Sequence, residues 1–467
     1  MIKRFFLILS FAIIALALYG RGFTTIKGSI QGASGYQIRL LTWSDQITFI
    51  EKKLASATID DQGHFNMIAE LQATIYAFIA IGNMRAEIVL EPGGAYELQF
   101  EPYPPLAFFE TRNPFLQREP LRYTILNAAS DDINALAAEI DLSYNQFLST
   151  HYMDLYLRKP KIIDAFIDTF FLQFGTLAHP WLRQMVDYKI ASLKLSGYKI
   201  TVDQAYEIWL KDQDIGYAHP DFMEFFNQLF SNYLTTRLKH YTYRELVEVV
   251  NQGGSFFALT ELVGRDTVLR NEQLREMVIL KGLGEIYHNR DFNDGNILKM
   301  LNYVAAASKF KEHRMIASNL IYLNTRFNKG IMAPDFSLPD QNGRKHSISD
   351  YRGKYVYVAF YMSNCIPCLA EFRYLESIYP SLQEKLEVVG VSLDPDTAKL
   401  WKTLQQQEFP WPILHFDNDF ELTDRYQIKS YPFFILIAPD GSFDTYGARQ
   451  PSAQFKAWFE EVVIRQN

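Results

Sequence analysis

The residues with the clearest chemical potential are two cysteines three positions apart, Cys365 and Cys368, in the segment SNCIPCLAEF. They are the only cysteines in a chain of 467 residues. Such a pair can cycle between a dithiol and a disulfide, because a thiolate attacks a disulfide sulfur and a second thiol then resolves the mixed disulfide. The spacing therefore favours a redox pair.

The pair has three other possible interpretations. A zinc half-site needs two more ligands, and neither His346 nor His415 stands at a ligand spacing. A structural disulfide across so short a loop would stabilise the fold weakly, since the entropic contribution grows with loop length. A pair that has lost its reactivity is the third alternative, and the surrounding elements favour the redox interpretation over all three.

The elements around the cysteines predict how they are positioned. KYVYVAFYM reads as a buried strand, and PCLAEFRYLESIYPSLQEK reads as a helix. Cys365 then stands where the strand turns into the helix, with helix N–H groups pointing at its sulfur, which lowers the cost of a thiolate. Pro367 fits the first helical turn, where its missing N–H costs little. Cys368 falls one turn further in, so we expect it to be more buried and to be the resolving thiol.

The chain length predicts two to four domains. Short runs separated by turn residues predict an antiparallel β-sandwich-like domain over residues 21–101. Apolar residues that recur at three and four positions predict an all-α domain over residues 102–329. From residue 330 to 467, unbroken apolar runs alternate with helices, which predicts an α/β domain whose sheet is covered on both faces. The predicted fold class is thus multidomain.

The N-terminus and the charge balance indicate the location of the protein. Lys3 and Arg4 precede the apolar stretch Phe5 to Leu18, which predicts a secretory signal peptide over residues 1–20. An uncleaved segment that anchors the protein in the membrane is the alternative. We therefore expect export to the periplasm or cell envelope. The net charge of −7 and the pI near 5.8 argue against a nucleic-acid partner.

Several motifs together resemble one family. APDFSL, VAFYMSNCIPC, GVSLD and YPFFILIAPDG, in this order, resemble the TlpA-like thiol–disulfide oxidoreductases of the thioredoxin superfamily. The strand and helical regions ahead of them resemble N-terminal modules of such proteins from the Bacteroidetes group. The resemblance implies a thioredoxin fold over residues 330–467, and an enzyme that reduces or isomerises disulfides of envelope proteins. It also implies protein disulfide substrates and a membrane electron donor, and we expect no cofactor and no metal.

The resemblance also assigns roles to individual residues. Cys365 and Cys368 match the nucleophile and the resolving thiol. Pro432 matches a proline that follows a cis peptide bond and docks substrate backbone, so Tyr431 and Pro432 are assigned to substrate binding. The dipeptide between the cysteines is assigned to the same rim; it consists of Ile366 and Pro367. Glu371 matches a carboxylate that shuttles protons at the thiols, and a solvated helix glutamate without this role is an equally good interpretation.

This sequence departs from the family pattern at positions that bear on substrate choice and electron flow. Asn364 stands where members often carry Trp, and Ala359 stands at the position of the buried acid of thioredoxins. The dipeptide Ile366-Pro367 has no His or Lys to stabilise the Cys365 thiolate, whereas strongly oxidising sites stabilise their reduced form. The uncharged dipeptide favours a reductant or isomerase. The changes at residues 364 and 359 leave the chemistry possible and bear on the choice of substrate.

Two other function classes compete with this interpretation. A peroxidase of the peroxiredoxin type needs Pro and Thr or Ser at fixed positions before its cysteine, and those positions here hold Val358 and Met362. This class is therefore rejected. A non-enzymatic binding or assembly protein of the envelope, with the two front domains as its working part, is the alternative function.

Overall fold

The structure is a computed structural model that describes residues 22–105, 119–129, 131–157, 159–405 and 408–464. The predicted signal peptide over residues 1–20 lies outside these ranges. Within them, none of the helices combines the length and the apolar character that crossing a membrane requires.

The first region consists of strands in two sheets. The strands are β1 (Phe23–Ser29), β2 (Gln37–Trp43), β3 (Glu51–Thr58), β4 (His64–Glu70), β5 (Ile75–Ile81), β6 (Met84–Leu90), β7 (Ala95–Phe100), β8 (Glu119–Pro120) and β9 (Tyr123–Ile125). One sheet has the order β4-β1-β7-β9, and the other has the order β3-β2-β5-β6-β8. Buried side chains of both sheets, such as Ile26 and Met67 in the first and Leu40 and Ile79 in the second, form one apolar cluster. Alternation of apolar and polar residues, as in β4, supplies that inner face.

Two features of this region differ from the sequence-based prediction. The pairings β1–β7 and β6–β8 are parallel, whereas we predicted an antiparallel module. These partners are not joined by hairpins, so turn residues, on which the prediction was based, contain no information about their pairing. Strands β8 and β9 also lie beyond residue 101, where we placed the end of the region, because strands of two or three residues have no periodic pattern to detect.

The second region is built of helices. They are α1 (Ile133–Thr150), α2 (Tyr152–Tyr156), α3 (Pro160–Phe174), α4 (Pro180–Ser196), α5 (Val202–Trp209), α6 (Pro220–Leu229), α7 (Tyr233–Thr236), α8 (Tyr243–Asn251), α9 (Phe256–Val263), α10 (Glu272–Ile286), α11 (Asp294–Ala307) and α12 (Lys311–Thr325). Side-chain caps begin several of them, including capping boxes at Thr201 and Thr242. Buried aromatic and aliphatic side chains of α5 to α12 form the largest apolar cluster of the described residues.

The third region has the α/β alternation that the sequence predicts. Its strands are β10 (Leu338–Pro339), β11 (Lys345–His346), β12 (Tyr355–Tyr361), β13 (Leu386–Ser392), β14 (Ile413–His415), β15 (Phe433–Ile437) and β16 (Phe443–Tyr446). Its helices are α13 (Ile366–Ile378), α14 (Thr397–Leu404), α15 (Phe420–Arg425) and α16 (Phe455–Ile464). The main sheet has the order β14-β13-β12-β15-β16, with β14, β13 and β12 parallel and the last two antiparallel. Apolar clusters cover both faces, and every residue of the central strand β12 is buried.

Polar contacts join the three regions. Asn319 of α12 donates hydrogen bonds to Ser44 and Asp45 of the strand region. Glu421 of α15 forms ion pairs with two cations of the strand region, Arg39 at 3.2 Å and Lys53 at 3.3 Å. At the start of α13, Ile366 is 81% exposed. The end of the α/β sheet that carries the cysteines is therefore open to a partner.

Candidate active site

The cysteine pair lies where the central strand β12 turns into α13. Cys365 is the residue immediately before the helix, and its N–H donates to the Met362 carbonyl at 3.1 Å. The Cys368 N–H points back at the Cys365 sulfur, with a nitrogen–sulfur distance of 3.2 Å. A helix N-terminus with an N–H directed at sulfur stabilises negative charge there. The predicted position of Cys365 at the strand–helix junction is confirmed.

The two sulfurs are joined in a disulfide, with Cα atoms 5.2 Å apart. They differ in access to solvent, because Cys365 is half-buried whereas Cys368 is completely buried beneath the first turn of α13. In the reduced protein, an incoming disulfide can therefore reach Cys365 first. The expectation that Cys368 is the more buried cysteine is confirmed, and the division into an attacking and a resolving thiol stays a prediction.

The difference in access gives a direct prediction for the reduced protein. On treatment with iodoacetamide at neutral pH, we expect Cys365 to be alkylated about tenfold or more faster than Cys368, because access and thiolate character control the rate. Fragment-ion mass spectrometry of the peptide that carries both cysteines measures the two rates. In denatured protein the two rates should become similar. Faster labelling of Cys368 in the native protein would reverse the roles.

Tyr431 and Pro432 lie beside the end of β12. Their peptide bond is cis, as the family resemblance implies, and β15 begins at the next residue, Phe433. Since Phe433 pairs with Phe360 in the antiparallel register of β15 and β12, the segment is brought to the strand end that leads to Cys365. Tyr431 and Cys365 pack against the same apolar clusters. The fold thus unites residues that are more than sixty positions apart.

The dipeptide between the cysteines forms the outer edge of the site. Ile366 is 81% exposed, and Pro367 in the first turn of α13 is also exposed. Because Ile366 is apolar, largely exposed and next to Cys365, it can contact an apolar segment of a partner.

Glu371 lies on α13, three residues after Cys368. Its carboxylate accepts two hydrogen bonds from Ser452, from the N–H at 2.9 Å and from the hydroxyl at 2.6 Å. These bonds tie α13 to the segment that precedes α16. The carboxylate is therefore held by protein donors, and its part in proton transfer stays a prediction.

One buried acid near the cysteines was not singled out from the sequence. Asp394 follows β13, is 6% exposed, and accepts hydrogen bonds from the N–H and the hydroxyl of Ser363 and from the hydroxyl of Ser392. A signal was available, because Asp394 ends the motif GVSLD directly after a buried strand. Carboxyl ends of adjacent parallel strands meet at one edge of a sheet, which places this residue beside the end of β12.

A buried histidine supports the same edge. His415 has its Nε2 atom 2.6 Å from the Asp394 carbonyl oxygen, and its Nδ1 atom accepts the Asp417 N–H at 2.9 Å. Because a backbone N–H can only donate, Nδ1 carries no proton and the ring is neutral, with its proton on Nε2. Burial lowers the pKa of His415 and keeps the ring in this form.

A family model and several known proteins are similar in sequence to the C-terminal region of this chain. A family model described as the AhpC/TSA family matches residues 330–444. The thiol-disulfide oxidoreductase ResA of Geobacillus thermodenitrificans is 30% identical over 146 residues, which cover 31% of this chain and 77% of that protein. The ResA protein of Oceanobacillus iheyensis is 31% identical over 134 residues, which cover 28% of this chain and 69% of that protein.

A solved structure is also similar. It is the thioredoxin domain of a thiol-disulfide oxidoreductase from Bacteroides vulgatus, with 25% identity and a TM-score of 0.27. The match covers 29% of this chain and 97% of that chain.

Proposed function

The chain belongs to the TlpA-like thiol–disulfide oxidoreductases of the thioredoxin superfamily, and we propose that it is exported and that it reduces or isomerises disulfides of proteins in the cell envelope. The observation that carries the proposal is the half-buried Cys365 sulfur at the start of α13, with the Cys368 N–H directed at it and Cys368 buried behind it. This arrangement combines an accessible nucleophile with a shielded resolving thiol.

The proposed reaction is a two-step exchange. The Cys365 thiolate attacks one sulfur of the substrate disulfide, so a mixed disulfide forms and the other substrate sulfur leaves as a thiolate that takes up a proton. Cys368 then loses its proton and attacks the Cys365 sulfur, which releases the second substrate thiol. Two electrons pass from the dithiol to the substrate, and the Cys365–Cys368 disulfide is the product form of the enzyme.

Glu371 is proposed as the carboxylate that exchanges protons with the cysteines during these steps. Its position on the same helix as Cys368, and its two hydrogen bonds from Ser452, support a fixed carboxylate near the thiols. A fixed carboxylate can accept and return a proton without moving a flexible side chain.

The direction of electron flow is proposed to be towards the substrate. Neither Ile366 nor Pro367 carries a charge that would stabilise the thiolate and make the disulfide a strong oxidant. The sequence contains no second cysteine pair to recharge the dithiol, so we propose an external donor in the membrane. The apolar segment near the N-terminus supports export to the periplasm, with cleavage or with retention as an anchor.

The substrate is proposed to be an extended, apolar segment next to a disulfide. Tyr431 and Pro432 on one side and Ile366 and Pro367 on the other form the rim of the accessible sulfur. An extended chain can pair with exposed backbone beside a sheet while its side chains contact apolar residues of the rim.

Reduction of insulin by dithiothreitol tests the activity. We expect the full chain to accelerate precipitation of the insulin B chain well above the rate with dithiothreitol alone, because the accessible Cys365 thiolate is a better positioned nucleophile. The matched control is the Ile366→Ser variant, which keeps both cysteines and removes the apolar contact of the rim. It should retain turnover with a raised KM. No acceleration by the native chain would favour a non-enzymatic binding or assembly protein instead.

A further inference from the structure

We propose that Asp394 is a positioning residue for disulfide exchange: its carboxylate holds the loop that precedes Cys365, and its negative charge disfavours the thiolate form of Cys365. This inference rests on the proposed function, since it concerns the same cysteine pair. The strand β12 has no buried acid of its own at residue 359, where Ala359 is completely buried. The buried acid Asp394 follows β13 instead.

The hydrogen bonds of Asp394 carry the positioning part. One carboxylate oxygen accepts the Ser363 hydroxyl at 2.7 Å, and the other accepts the Ser363 N–H at 2.9 Å and the Ser392 hydroxyl at 2.6 Å. Ser363 is also buried, and it stands two residues before Cys365. All three donors point at one buried carboxylate, whose two oxygens accept the three bonds. The path of the chain into Cys365 is therefore set by this acid.

The surroundings of Asp394 carry the electrostatic part. No ion pair among the described residues includes Asp394, so a neighbouring cation does not cancel its charge. Burial and then the charge of Asp394 raise the pKa of Tyr361, which ends β12, and of Tyr431, which packs with Cys365. The charge of the carboxylate thus acts on the last residue of β12, which leads into the cysteine loop, and on a residue that packs in the same apolar clusters as Cys365. A buried negative charge opposes the formation of a second negative charge on a neighbouring group.

The expected consequence is a balance at the Cys365 sulfur. The helix N-terminus and the Cys368 N–H favour a thiolate, whereas Asp394 opposes it. The dithiol is then less stabilised than it would be with the helix alone, and a less stabilised dithiol gives up its electrons more readily. This agrees with the reducing direction proposed above.

The hydrogen bonds around Asp394 allow its charge to be removed without loss of a bond. In Asp394→Asn, the amide oxygen can accept the Ser363 N–H and the Ser392 hydroxyl, and the amide nitrogen can donate to the Ser363 oxygen. A serine hydroxyl can change from donor to acceptor by rotation. The variant therefore separates the charge from the positioning bonds.

Other titratable groups lie on the elements packed around the cysteine pair. They include Tyr361 on β12, Glu371 on α13 and Tyr431 before β15, and His415 on β14 contacts the Asp394 carbonyl. These residues are unchanged in the variant, so a difference from the native protein reports on Asp394.

The test is the pH dependence of alkylation of Cys365 by iodoacetamide in the reduced full chain, read by mass spectrometry. We expect Asp394→Asn to lower the midpoint of the profile by about one pH unit and to raise the rate below the midpoint about tenfold. Asp394→Glu, which keeps the charge, should restore the midpoint towards the native value. Ser363→Ala, which keeps the charge and removes one bond, should change the rate at all pH values without moving the midpoint.

The electrostatic role would be overturned if the midpoint of the alkylation profile is unchanged or raised in Asp394→Asn. It would also be overturned if the midpoint falls by the same amount in Ser363→Ala. If circular dichroism shows that Asp394→Asn does not fold, the double variant Ser363→Ala/Asp394→Ala is measured against the same criteria, because replacing both partners of a buried bond costs less than replacing one. Alkylation of Cys365 needs no protein substrate. A failure of insulin reduction would therefore contradict the proposed function without deciding the role of Asp394, which the alkylation profile tests independently.

Discussion

Replacement of Cys365 by serine is expected to reduce insulin reduction to the background of dithiothreitol, because the attacking sulfur is lost and a serine hydroxyl does not form a disulfide. The effect should be complete, since Cys368 is completely buried under α13 and cannot reach an external disulfide in its place. The fold should persist, because the side chain of residue 365 is only half-buried and serine can also cap a helix. Circular dichroism of the variant checks this point.

The matched variant is Cys368→Ser, which keeps the attacking thiol and removes the resolving one. It should also lose turnover, but it should accumulate a mixed disulfide with the substrate that survives denaturing electrophoresis and disappears on reduction. Thiol turnover that persists in Cys365→Ser, or a mixed disulfide that forms only through Cys368, would contradict the assigned order of attack.

Replacement of Phe372 by alanine is expected to destabilise the α/β region by about 3–5 kcal/mol. Phe372 is completely buried on α13, four residues after Cys368, and its ring lies 4.6 Å from that of Tyr361 and 5.8 Å from that of Trp411. The truncation leaves a cavity between the cysteine-bearing helix and the sheet, which closely packed surroundings fill only in part. The same change should make the position of both cysteines at the start of α13 less fixed.

Hydrogen exchange of the amides in β12 and α13 measures this loss within the full chain, where one unfolding transition for all three regions is not assured. A loss of 3 kcal/mol corresponds to a fall in protection of about a hundredfold. Tyr374→Ala is the control on the same helix, because the side chain is 44% exposed and the change should cost less than about 0.5 kcal/mol. Equal protection in both variants would show that Phe372 does not anchor the helix.

Local features of the α/β region were predictable because each has a local cause. The unbroken apolar run of β12 and the proline in the first turn of α13 both act on neighbouring residues. The strand β14 was not predicted, since its three residues, Ile413–His415, give no detectable period and are a strand only because β13 lies beside them.

Features that depend on pairing between distant segments were not predictable in the same way. The parallel contact of β1 with β7 joins residues about seventy positions apart, and the contact of Glu421 with Arg39 spans almost the whole described chain. Neither leaves a pattern in the sequence near either partner. Hydrophobic burial selects such pairings among many alternatives, and it does so only when the whole surface is assembled.

The sequence by itself determined the chemistry of this protein: two cysteines at the start of a helix define a dithiol, and the order of the surrounding motifs indicates the family. Only the tertiary structure decided which sulfur is accessible and which buried acid binds Ser363, two residues before Cys365. Access depends on what packs over Cys368, and the position of Asp394 depends on the register of β13 against β12. Both result from contacts between segments that the chain brings together only on folding.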